Sequence, residues 1–207
     1  MKFEKDSQKV RVVGVYSSKY PDTFYKGPEY FVTDERNQLE FSLEGIVGDR
    51  HHGFTAVSGG RMKGLYPKGT VVRNNRMWLG VSPQEIEAIA QGLSIDGRLT
   101  PELLGANLVL EGIDALSTLA PMTYLVFSPT EMGKPQDPDN VVLVVYGQAL
   151  PCTIAGKVLA NALGEPSLES RFPAAAIGRR GTTGWVEKGG IIRPGYTGLV
   201  YRATGKD

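Results

Sequence analysis

One cysteine, Cys152, in a chain of 207 residues excludes any disulfide within the chain and suits a reducing compartment. Histidine is nearly as scarce. His51 and His52 are the only two, which leaves little from which to build a histidine-rich metal centre. No apolar run approaches the roughly 20 residues that a membrane-crossing helix needs. The opening residues, MKFEKDSQKVRVV, are charged and carry no apolar core of a secretory signal, so a cytoplasmic protein is expected. Charge of one sign is also missing: 23 Lys plus Arg stand against 22 Asp plus Glu. That balance favours neither nucleic acid nor a membrane surface as partner.

Glycine and proline are abundant instead, at 26 and 13, about 19 % of the chain against a usual share of roughly 12 %. They separate short runs rich in Val, Ile, Leu and Tyr, which is the pattern of many strands joined by tight turns. Strands are expected over 9–16, 38–43, 70–79, 106–110, 124–127 and 141–146, with further pieces at 185–186, 191–192 and 199–201. The polar segment 17–35 reads as a long surface loop, and 128–140, with three prolines, as an exposed hairpin loop. The clearest helix covers 82–93: Ser82 caps it, Pro83 takes its first position and Glu85 completes a capping box. A second helix begins at Thr153, its apolar positions Ile154, Val158, Ala162 and Leu163 running to a stop at Gly164. No repeat or composition break divides the chain, so a single domain over 1–207 is expected. The fold class is mostly β, a bent, closed or partly closed barrel with a few short helices; strand count alone does not separate barrel from sandwich.

Chemistry concentrates in two places. Cys152 lies behind the apolar strand 141–146, directly after Pro151, in the first turn of a helix whose macrodipole favours thiolate over thiol. A thiolate there can act as nucleophile, sulfur carrier or soft-metal ligand, whereas a cysteine can equally be buried packing. The other place is GDRHHG, residues 48–53. Adjacent residues of an extended chain point to opposite faces, so His51 and His52 are not expected to ligate one metal. Arg50, Arg73, Arg76, Arg179 and Arg180 lie beside glycines or asparagines without matching acids close by. Guanidinium forks fit phosphate and carboxylate, so a basic pocket for a phosphorylated small molecule follows if these segments converge.

Taken in order, GIVGDRHHG, RNNR, LLGANLVLEGID, the strand ending in LPC, and GGIIRPG resemble the MOSC domain over about residues 45–201. That family is similar to the C-terminal part of molybdenum-cofactor sulfurases and to the mitochondrial amidoxime-reducing component. The resemblance implies a β-barrel and a role in sulfur or molybdenum-cofactor handling. Its cysteine falls on Cys152, as persulfide carrier or molybdenum ligand. Its basic loop falls on Asp49, Arg50 and His51, and its further ligand positions on Arg76 and Asn107, with Arg73 and Arg179 as added candidates for a pterin phosphate. In the carrier form the sulfur donor is a cysteine desulfurase, and pyridoxal phosphate belongs to that partner. Three departures stand out: Met77 replaces the family's Gln, Ala106 its Glu, and Tyr196 its Asp. The alternative is a non-catalytic anion-binding or partner-binding barrel with a structural cysteine.

Overall fold

The computed structural model describes residues 2–22, 27–59, 64–129 and 137–204. In chain order the strands are β1 (Lys2–Ser18), β2 (Thr33–Arg36), β3 (Leu39–Ser42), β4 (Gly45–Ile46), β5 (Thr55–Val57), β6 (Val71–Arg73), β7 (Trp78–Val81), β8 (Leu108–Glu111), β9 (Thr123–Ser128), β10 (Val141–Gln148), β11 (Thr182–Lys188), β12 (Gly190–Ile192) and β13 (Thr197–Thr204). Three helices accompany them: α1 (Pro83–Leu93), α2 (Thr153–Leu163) and α3 (Leu168–Ala176). Seven strands close a barrel in the order β1–β13–β9–β10–β11–β7–β8, with β8 returning to β1. The barrel expectation therefore holds.

Closure depends on the length of β1. Its first half pairs with β13 and its second with β8 and β2, with register shifts between Lys5 and Lys9 and between Val12 and Gly14. Such bulges bend a strand and let one element serve two edges of a barrel. All barrel pairs are antiparallel except β7–β8, which are parallel and bridged by the crossover that contains α1.

Two apolar layers follow from strand alternation. Val10, Val12, Trp78, Leu110, Phe127, Leu143 and Val200 fill the barrel. The opposite faces of β7 and β8 supply Leu79, Val81 and Val109 to a second layer under the helices, with Ile89, Leu93, Leu159, Leu168 and Phe172. Because β7 is covered on both sides, all four of its residues are buried. Each large side chain so enclosed contributes about 1.5–3 kcal/mol relative to exposure.

The structure departs from the sequence reading in three elements. The segment 17–35 is not only loop: it contains a 3₁₀ turn, Pro28–Phe31, and leads into β2. The run 70–79 is broken into β6 and β7, because Asn74 turns the chain by accepting from Arg76 N at 3.0 Å. Helix α3 was unforeseen, as Pro173 sits inside it; burial of Leu168, Phe172 and Ala176 holds it despite that proline. The hairpin expected over 128–140 is consistent with the pairing of β9 and β10, but 130–136 lie outside the described residues.

Candidate functional site around Cys152 and the Arg50 loop

Gly48, at φ 74, turns the chain so that Asp49 points into the protein. Asp49 Oδ2 accepts from Ser18 N at 2.9 Å, Ser18 Oγ at 2.9 Å and Asn107 Nδ2 at 3.1 Å. Oδ1 accepts from His51 N at 2.9 Å and stands 3.4 Å from His51 Nδ1. Burial alone would raise the Asp49 pKa, but His51 and the backbone N–H groups of His51 and Ser18 hold it well below the usual carboxylate range. Asn107 is committed in the same way. Its Oδ1 accepts from Leu79 N at 3.0 Å, and its Nδ2 also donates to Tyr16 O at 3.2 Å. Asp49 and Asn107 thus stitch the loop to β1, β7 and β8.

The two histidines diverge, as expected. A carboxylate can only accept, so His51 presents Nδ1–H to Asp49. Burial first, with Arg76 and Arg50 adding repulsion against the pull of Asp49, lowers its pKa to about 4 and keeps the ring neutral at pH 7. His52 turns away: its Nε2 lies 3.2 Å from Ser42 Oγ and its Nδ1 3.7 Å from Glu44 Oε2. Among the described residues no group of three His, Cys, Asp or Glu side chains could hold a metal ion.

Arginines converge as well, though in a different combination from the one the sequence suggests. Arg50 is buried, donates from Nη1 to the Tyr30 carbonyl, and places its guanidinium 5.3 Å from the Tyr30 ring and 5.2 Å from the Phe31 ring. Arg180, also buried, lies 5.2 Å from the same Phe31 ring and donates from Nη2 to Leu104 O at 2.9 Å. Arg179, its neighbour, is exposed, and its charge acts on buried Glu85. Arg76 is half-buried and acts on His51. Arg73 stacks on Trp185 at 5.1 Å, along a groove of about 690 Å³ that also includes Phe54, Val71 and Glu187. Phe31 and Arg180 carry contacts that local sequence could not reveal, since the partners are separated by 19 to 149 positions.

Cys152 is the N-cap residue of α2, extended at φ −146 and ψ 162, with a half-buried side chain that makes no capping hydrogen bond. Gly156 N donates to its carbonyl at 3.2 Å, which starts the helix. Just before it, Ala149 N donates to Gly181 O at 2.9 Å, fastening the thiol's strand to the residue after Arg180. Cys152 and Phe31 border the same apolar layer, and α2 lies against the 3₁₀ turn. Leu150, Ile154 and Ile177 remain 57 %, 60 % and 68 % exposed around this helix start. A half-exposed thiol at a helix N-terminus, at the edge of the apolar layer that Phe31 also borders, can do nucleophilic sulfur chemistry or donate to a soft metal.

Comparison with known proteins finds relatives in both sequence and fold. YuaD of Bacillus subtilis (strain 168), described as a metal-sulfur cluster biosynthesis protein, is 32 % identical over 169 residues, covering 81 % of this chain and 80 % of YuaD. The crystal structure of the YUAD protein superposes with a TM-score of 0.82 at 27 % identity, covering 98 % of this chain and all of that one. YiiM from Escherichia coli shares the fold at a TM-score of 0.52 and 12 % identity, covering 95 % of this chain and 72 % of its own. The sequence pattern of the MOSC domain matches residues 55–197, and the chain belongs to the MOSC domain family.

Proposed function

We propose that this protein has a role in sulfur or molybdenum-cofactor handling, and that it acts as a sulfur carrier through Cys152. The observation that carries the reading is the α2 start: the chain's sole thiol occupies an N-cap position, half-exposed, where its sulfur does no capping. Description of the relative YuaD as a metal-sulfur cluster biosynthesis protein supports the same chemical class.

The molybdenum cofactor associated with the family is a less good fit to the residues present. Thiolate sulfur is a suitable donor to molybdenum. Two of the groups expected at a pterin phosphate are already engaged: Arg50 is held by the Tyr30 carbonyl and two rings, and the Asn107 amide by Asp49, Leu79 and Tyr16. Met77, where the family has Gln, is packed into the barrel core. The carrier reading asks for none of these groups.

In that reading the Cys152 thiolate attacks the outer sulfur of a donor persulfide. A new S–S bond forms on Cys152 as the donor's S–S bond breaks, and the electron pair leaves with the donor thiolate. The donor is a cysteine desulfurase, which brings its own pyridoxal phosphate. Reverse attack by an acceptor thiolate releases the sulfur. Nothing in the step requires an oxidant, and water access to the half-exposed thiol is enough for proton exchange.

The test is incubation with a cysteine desulfurase and cysteine, followed by intact-mass measurement, beside an alkylation rate profile against pH. The wild type gains one sulfur atom and Cys152→Ala does not. Equal masses before and after incubation, with an alkylation rate that rises only near the ordinary thiol range of about 8.5, would refute the carrier role.

A further inference from the structure

Arg50 is a desolvated cation: burial lowers its pKa, the nearby Asp49 charge works against that, and its hydrogen bond goes to a neutral carbonyl. Among the described residues it forms no carboxylate ion pair. Asp49, next in sequence, spends its oxygens on Ser18, His51 and Asn107. What meets the guanidinium is the Tyr30 carbonyl and the faces of Tyr30 and Phe31. Phe31 serves Arg180 at the same time. A carbonyl and a π face are the groups that an anion would displace from a guanidinium.

The seat of Phe31 is built into the fold. At Gly105, φ 63, an added Cβ would stand 2.6 Å from the Phe31 carbonyl oxygen, 2.9 Å from Arg50 Nη2 and 3.0 Å from Phe31 Cε1. Phe31 and Arg50 can occupy this corner together because residue 105 has no side chain. The turn is anchored at its exit too, by Lys19 N to Val32 O at 3.1 Å and Thr33 N to Glu102 O at 3.3 Å. Pro28–Phe31 precedes the family-matched residues 55–197, so this occupant comes from outside the matched stretch.

We infer that Phe31 is a specificity-determining residue: it closes the Arg50–Arg180 corner to small phosphorylated anions and leaves Cys152 to donors that do not need those cations. The closure itself rests on geometry alone; its consequence for sulfur transfer rests on the carrier reading of Cys152. Removing the ring exposes a guanidinium fork that takes a diphosphate in bidentate fashion.

Titration calorimetry with inorganic pyrophosphate near neutral pH tests this. Phe31→Ala binds pyrophosphate at least about tenfold tighter than the wild type, and the double variant Phe31→Ala/Arg50→Lys loses the gain, because an ammonium lacks the planar fork. Phe31→Leu guards against a folding defect: it keeps apolar volume at the turn, removes the π face, and shows a smaller gain in the same direction. Circular dichroism and a thermal melt accompany each variant. Wild-type binding as tight as that of the variants, weakened equally by Arg50→Lys, overturns the inference, as does no gain in either Phe31 variant. Alkylation of Cys152 in the same samples is read separately. A thiol inert in both wild type and variant removes the carrier role and leaves the pyrophosphate result standing.

Discussion

The Asp49 loop and the start of α2 both carry residues that look chemical, yet the fold uses them in opposite ways. At the loop, Asp49 and the asparagines that hold it, Asn107 and Asn74, have their polar atoms engaged by protein: Asn74 Nδ2, for example, donates to His51 O at 2.7 Å and Gly53 O at 2.9 Å. At the α2 start the side chain forms no cap and its aliphatic neighbours face solvent. Asp49, Asn107 and Asn74 fasten the glycine-rich loop to the fold, while around the half-buried thiol of LPCTI the aliphatic side chains Leu150 and Ile154 stay exposed.

The strongest way to break this contrast is Asp49→Ala. Four hydrogen-bond donors and the His51 ring lose their acceptor in a buried place, and the expected cost is roughly 3–5 kcal/mol in urea unfolding. A loss under about 1 kcal/mol would mean that the loop is not the fastening described.

A smaller effect appears with pH. The folded His51 pKa is depressed from 6.5 to about 4, so the unfolded chain binds the extra proton across that window. Stability is therefore full above about 6.5 and falls as pH drops toward 4, by up to about 3 kcal/mol at about 1.4 kcal/mol per unit. Asp49, whose folded pKa is lowered, contributes stability above its ordinary 3.8 that is lost below it. Urea melts at successive pH values should show the first decline in the wild type and a flat response over the same window in His51→Gln. A decline that persists in His51→Gln would place the titrating group elsewhere.

The finest comparison is between two helix starts. Ser82 and Cys152 are both extended N-caps, but Ser82 Oγ accepts from Glu85 N at 3.2 Å and Cys152 caps nothing. Ser82→Ala should cost about 1 kcal/mol. Cys152→Ser should go the other way, raising stability by roughly 0.5–1 kcal/mol while abolishing alkylation. Opposite signs in thermal melts would mark Cys152 as a residue kept at some cost in stability, and a destabilised Cys152→Ser would mark it as packing.

Local pattern carried much of this. The helix begun at Ser82 and ended at Leu93, the helix from Thr153 to its left-handed stop at Gly164, and the turn at Pro194–Gly195 all follow from caps, spacing and turn residues within a few positions. Even there, reach exceeded sequence: the Glu85 carboxylate accepts from Ser117 N at 2.8 Å, 32 positions away, where a purely local capping box would turn it back to its own helix start. Helix α3 escaped because its proline is tolerated only under the burial of Phe172 and its neighbours.

By itself, the sequence determined a mostly β chain with a lone cysteine at a helix start, because β-branched periodicity, glycine turns and N-cap chemistry are short-range preferences. Barrel closure, the union of Arg50 with Arg180 on Phe31, and the commitment of Asp49 and Asn107 to the fold were decided in three dimensions. Each joins residues far apart in the chain, and their partners are chosen by packing and by the demand that buried polar groups be satisfied, which no window of neighbouring residues expresses.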